Sequence, residues 1–144
     1  MAEALFRELV KGREDYEVAS AGTGAEDGDL ASHHTEQLMN ERGHDFTQFR
    51  SRGLSRDLVN QATHIFTMGR GHLRALERMF PEVADKTYLI SEFTPEDNLR
   101  GQDVSDPFGG PRAAYEEARD VLLKLLPSIV AYIDQTFDKT SHTS

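Results

Sequence analysis

Cysteine is missing from all 144 residues, and that absence removes disulfides, thiolate metal sites and thiol nucleophiles from the chemistry these residues can do by themselves. Positive charge is scarce. Lys and Arg total 16 against 25 Asp and Glu, a formal charge of -9, which is the wrong sign for general attraction to a phosphate backbone or an anionic membrane. No apolar run approaches the roughly 18 to 20 residues of a membrane span, and the N-terminus lacks the basic-then-apolar order of a signal peptide. The expectation is a cytoplasmic protein with no nucleic-acid and no membrane partner. Its length suits one domain with a substantial core around a single sheet.

The pattern along the chain alternates helix and strand. Met1 to Val10 places Ala4, Leu5 and Val10 among Glu3, Arg7 and Glu8, an amphipathic helix that opens without a capping side chain. Residues 16–21 alternate well enough to predict a short strand, ended by Gly22-Thr23-Gly24. Residues 31–42 read as a second helix, with Gly43 placed for a left-handed C-terminal cap, and Ser55 is placed to cap a short third helix. Residues 63–68 and 86–91 are rich in β-branched and aromatic residues and are predicted as strands. Between them, 71–80 is helical in pattern and Pro81 stops it. A long polar loop, 94–110, precedes a helix over about 111–137, in which Pro127 is expected to cause a kink or a break. Such alternation implies a mainly parallel, doubly wound α/β sheet, with its ligand crevice beyond the carboxyl ends of the strands. One domain over 1–138 and a frayed tail over 139–144 are expected.

Candidate chemistry concentrates in Asp103-Val104-Ser105-Asp106-Pro107-Phe108-Gly109-Gly110, which sets a carboxylate, a fixed turn and an aromatic ring just before the long helix. On these residues alone, an Asp-Pro that merely starts a turn is the commoner meaning. Ser20 to Gly24 could offer backbone amides to an anion, although a glycine pair after a strand is usually only a turn. His33 and His34 are neighbours and diverge by about 100 degrees on a helix, so they cannot share a metal as an i, i+4 pair could. No zinc-protease, calcium-loop or Walker pattern occurs, and no metal or cofactor is expected. His72 and the Arg50, Arg52, Arg56 group are more often surface residues than ligands.

Taken in order and spacing, Met1-Ala2-Glu3-Ala4-Leu5-Phe6, Ser20-Ala21-Gly22-Thr23, Met68 with His72, and Asp106-Pro107-Phe108-Gly109-Gly110 resemble the low-molecular-weight protein tyrosine phosphatases. The Asp-Pro-Phe-Gly-Gly form looks most like the bacterial protein arginine phosphatases of that family. The resemblance implies a phosphotyrosine phosphatase I-like fold of flavodoxin-like strand order, and hydrolysis of protein phosphotyrosine or phosphoarginine through a phosphocysteine intermediate. It implies Asp106 as general acid and base, Phe108 as the aromatic beside the substrate, and Ser20 as support for the phosphate loop. In that family a strand and a Cys-x5-Arg-Ser-Pro loop stand directly before Met-Ala-Glu. This sequence starts at that Met, so the expected fold lacks its first central strand, and the nucleophile and phosphate-clamping Arg have no counterpart.

An acid without a thiolate cannot turn over a phosphate ester. The resemblance therefore implies an inactive chain, explained either by a start codon assigned too late or by a non-catalytic pseudophosphatase that persists as a binding module. A doubly wound ligand-binding domain unrelated to phosphatases is the third alternative. Losing a central strand of about four buried side chains at roughly 1.5 to 3 kcal/mol each is comparable with a whole domain's stability of about 5 to 15 kcal/mol.

Overall fold

The computed structural model describes residues 1–21, 33–44, 53–105, 107 and 110–136. Helix α1 (Ala2–Leu9) starts at Met1 with no side-chain cap and buries Ala4 and Leu5, as its apolar spacing dictates. Helix α2 (His33–Glu41) buries Leu38 and Met39, and Gly43 follows at φ +89°, the left-handed conformation that glycine adopts without a Cβ penalty. Helix α3 (Arg56–Gln61) is capped by Ser55, whose hydroxyl oxygen accepts from the Leu58 amide at 3.1 Å. Its C-terminal carbonyls are met from outside: the Lys86 ammonium donates to the carbonyls of Asn60 and Ala62.

Strand β1 (Ile65–Thr67) and strand β2 (Thr87–Leu89) pair in parallel, with Ile65 opposite Thr87, Phe66 opposite Tyr88 and Thr67 opposite Leu89. Both are shorter than their β-branched runs predict. Helix α4 (Arg70–Met79) and a 3-10 segment (Pro81–Lys86) make the crossover between them. Pro81 does end α4, but it then serves as the first residue of the 3-10 turn, which the sequence did not suggest.

The sheet separates two cores because side chains alternate across a strand. Phe66 packs with Ala4, Leu5, Leu38, Met39, Leu122, Leu125, Leu126 and Ile129, the core shared by α1, α2 and helix α5 (Arg112–Thr136). Ile65 points the other way, toward Val59, Leu76, Phe80 and Val83. A parallel sheet covered by helices on both faces is the doubly wound arrangement expected. Aromatic rings fasten the later half of α5 to the sheet: Phe93 stacks on Tyr132 at 3.9 Å between centroids, and the Tyr132 hydroxyl donates to that of Tyr88 at 3.2 Å. Among the described residues no helix is long and apolar enough to cross a membrane.

Two expectations are corrected. Residues 16–21 form no strand: among the described residues no backbone ladder bond reaches them, and side chains bind the segment. The Arg13 guanidinium donates to Asp134 at 2.9 and 3.0 Å, and the Tyr16 hydroxyl donates to the same carboxylate at 2.7 Å. The Val18 carbonyl accepts from the Arg7 guanidinium. An alternating segment becomes a strand only where a neighbouring strand meets its amides. Pro127 does not interrupt α5, which runs unbroken for 25 residues. Leu125, Leu126, Ile129 and Ile133 are buried on either side of it, and at about 1.5 to 3 kcal/mol each their burial outweighs a helix-interior proline's cost of about 3 kcal/mol.

Candidate active site

The carboxyl ends of β1 and β2 are roofed by the loop that leads from β2 to α5. At the end of β1 the chain passes through Met68 and Gly69 directly into α4. Gly69 has no side chain to cap the new helix, and the amide of Arg70 donates instead to the Asp103 carboxylate at 3.0 Å. A Cβ on Gly69 would lie 3.2 Å from the Asp103 Cγ, so a glycine is what admits the carboxylate that closely. The anion sits where the helix dipole favours negative charge. The Arg70 guanidinium lies 3.7 Å from Asp103 and donates to the Gly101 carbonyl.

The loop is tied to both strands in succession. The Ile90 amide donates to the Thr67 carbonyl at 2.8 Å as β2 ends. The buried Ser91 then works in two directions, its carbonyl accepting from the Gly101 amide at 3.2 Å and its hydroxyl donating to the Gln102 carbonyl at 2.6 Å. Gly101 stands at φ +74°, which allows the chain to turn back there. The Val104 amide donates to the Met68 carbonyl at 2.8 Å. Within the loop, Arg100 gathers the Thr94 and Pro95 carbonyls at 3.0 Å each. Beyond it, the Gly110 amide donates to the Pro107 carbonyl at 2.8 Å just before α5.

Helix α1 joins the same core, against which Met1, Met68 and Val104 all pack. Burial pushes the Met1 amine below its ordinary value of 8.0, opposed by the nearby Glu3 carboxylate. The Ser20 hydroxyl donates to Glu3 Oε1 at 2.8 Å, and Arg7 donates to Oε2 of the same carboxylate at 3.1 Å. Ser20 is thus fixed to the first turn of α1, although it remains exposed.

Of the residues singled out in the sequence, Asp106 and Phe108 lie outside the described residues, as do Arg50, Arg52 and residues 22–32. Arg56 is paired with Glu82 and lies over the Phe80 ring at 5.2 Å, a packing role. His33 and His34 stand with ring centroids 6.0 Å apart, and no group of three metal-binding side chains occurs among the described residues. His72 is exposed. Sequence reasoning placed Asp103 in the candidate loop but missed its contact with the head of α4 beside Gly69. The one available signal was a helix opening at Gly-Arg with no local cap, which requires an acceptor from elsewhere in the chain.

The family profile described as low molecular weight phosphotyrosine protein phosphatase matches residues 1–139. A protein-arginine-phosphatase of Geobacillus stearothermophilus is 37% identical over 110 residues, covering 76% of this chain and 72% of the relative. A low molecular weight protein-tyrosine-phosphatase of Streptomyces coelicolor is 35% identical over 136 residues, covering 85% and 77%. Among solved structures, the YwlE arginine phosphatase of G. stearothermophilus superposes with a TM-score of 0.81 at 34% identity, covering 93% of this chain and 83% of that one. The low molecular weight protein tyrosine phosphatase of T. tengcongensis gives 0.80 at 31% identity, covering 91% and 88%. The doubly wound fold expected from the pattern, with the flavodoxin-like order that the resemblance implied, is the fold of these proteins.

Proposed function

Because the chain belongs to the low molecular weight phosphotyrosine protein phosphatases, we propose that it carries the proton-transfer half of a phosphoprotein phosphatase site without the nucleophile. In this reading residues 1–138 are one phosphatase domain, and the substrate is a phosphorylated tyrosine or arginine side chain. Asp106 is the general acid. As a thiolate attacks phosphorus and the P–O or P–N bond breaks, Asp106 gives its proton to the departing oxygen or nitrogen. The resulting carboxylate then takes a proton from the water that cleaves the phosphocysteine, which regenerates both thiolate and acid. Phe108 flanks the phosphorylated side chain, and Ser20 supports the phosphate-binding loop from the first turn of α1.

The observation that carries this reading is the tethering of residues 101–104 to the carboxyl ends of both strands, in a chain matched by the family profile from end to end of its described elements. The Asp106-Pro107-Phe108 segment follows directly in sequence, and in this reading it lines the crevice where doubly wound folds bind ligands. The absence of cysteine sets the limit. An acid contributes about 10² to 10⁴ in rate, while loss of a nucleophile in a well-studied protease costs about 10⁶, so these 144 residues alone are catalytically silent. That same absence favours a second reading, a non-catalytic module that binds phosphoproteins; retention of the Asp-Pro-Phe-Gly-Gly run counts against it.

The test supplies a strand and Cys-x5-Arg-Ser-Pro loop ahead of Met1 and compares that protein with its Asp106→Asn variant. Turnover of phosphotyrosine and phosphoarginine peptides is expected to fall by about 10² or more, with vanadate binding nearly intact, because asparagine keeps the shape but has no proton to give. Unchanged turnover in the variant would reduce Asp106 to a turn residue. Comparing the two peptides decides which phosphorylated side chain is the substrate.

A further inference from the structure

The geometry points to Asp103 as the positioning residue of the loop that leads to Asp106, clamping that loop to the head of α4. The inference rests on the reading of Asp106 as general acid and adds a residue to it. Four consecutive residues, Gly101 to Val104, are each bonded to the ends of β1 and β2 or the start of α4. Asp103 is the only one of them that uses its side chain for this, and its acceptor role is toward a main-chain amide that no local side chain can serve. Asp106 follows three residues later. Three residues span at most about 11 Å, so the reach of the chain from the clamp limits how far the acid can stray from it.

A plain surface ion pair is the competing account, since the Asp103 side chain is half exposed and its guanidinium partner is 3.7 Å away. That account leaves two facts unexplained. The carboxylate bonds the Arg70 amide at 3.0 Å, and the neighbouring Gly69 is a residue whose Cβ would press on that carboxylate at 3.2 Å. A cap that stitches two distant segments transmits any displacement directly along the chain. Misplacing a catalytic group by about 1 Å can cost 10² in rate.

Two measurements separate positioning from mere structure. In the 144-residue chain, Asp103→Ala is expected to speed hydrogen exchange of the 101–105 amides while the α5 amides keep their protection. In the protein with the thiolate loop supplied, Asp103→Ala is expected to lower kcat by about 10- to 100-fold, with KM and vanadate affinity unchanged. Placed in the Asp106→Asn background, it is expected to lower kcat no further, because an acid that is gone cannot be misplaced. Asp103→Asn, which keeps the acceptor oxygen, restores part of the loss and serves as the working variant where the alanine form does not fold. Full activity in Asp103→Ala alongside a crippled Asp106→Asn would overturn the inference and leave the acid in place. Additive losses, or a matching rise in KM, would overturn it as well by showing general damage. An unaffected Asp106→Asn would instead remove the reading beneath it.

Discussion

Gly110→Ala probes the bond from Gly110 to Pro107, and its cost can be worked from two distances. A Cβ at position 110 would lie 3.0 Å from the Pro107 carbonyl oxygen and 3.3 Å from the Ala114 Cβ. The carbonyl is backbone, and it already accepts from the Gly110 amide at 2.8 Å, so it cannot retreat without lengthening that bond. Overpacking of this kind costs about 1 to 3 kcal/mol, while replacing a glycine by alanine recovers about 0.4 to 1 kcal/mol by narrowing the unfolded ensemble. Taken at the middle of each range, the net loss is about 1.3 kcal/mol. An unfolding entropy of about 2.1 cal/mol/K per residue over a chain of 144 residues converts this to a fall in Tm of about 4 °C. Calorimetry measures the shift, and hydrogen exchange is expected to show the 110–114 amides opening faster. A Tm equal to or above that of the parent, with those amides unchanged, would refute the reasoning.

Pro127→Ala is expected to stabilise the chain by about 2 kcal/mol, because the exposed proline breaks one helical bond at a cost of about 3 kcal/mol and alanine returns it, less the entropy gained by the unfolded state; denaturant unfolding reads this directly. Glu8 supplies a pH dependence. The hydrogen bond from Arg42 at 2.8 Å holds its carboxylate below the ordinary 4.5, with burial opposing and His44 assisting at 2.7 Å. Since the folded form binds that proton less readily than the unfolded, the contribution is present above pH 4.5 and is lost as pH falls below it. Glu8→Gln is expected to lower stability at pH 7 and to flatten its dependence on acid below about pH 4.5, as followed by urea titration at each pH.

Local signals were legible and non-local ones were not. Ser55 and Gly43 act through their own helix ends, so one residue and its neighbours suffice to read them. The two strands declared themselves through Ile65, Phe66 and Thr67 and through Thr87, Tyr88 and Leu89, and Ile65 and Phe66 feed cores on opposite faces. Residues 16–21 misled because alternation reports a face and says nothing of a partner, and the partners of Tyr16 and Arg13 lie more than a hundred residues away at Asp134. Pro127 misled for the opposite reason, since the burial that carries α5 past it is tertiary. The cap that Asp103 supplies was invisible for want of any local pattern: a carboxylate in a polar loop looks solvated until α4 is placed beside it. The Asp-Pro-Phe-Gly-Gly run was legible as a site only through the resemblance, since on its own residues a turn is the commoner meaning.

The central claim is that these residues hold the acid and lack the nucleophile. Phosphate release from phosphoarginine and phosphotyrosine peptides tests it most directly, measured for the purified 144-residue chain and for the same chain with a Cys-x5-Arg-Ser-Pro strand and loop ahead of Met1. The expected result is no release above background from the first and steady turnover from the second, abolished when its cysteine is replaced by serine. Release by the cysteine-free chain that survives repurification and disappears in Asp106→Asn would contradict the account.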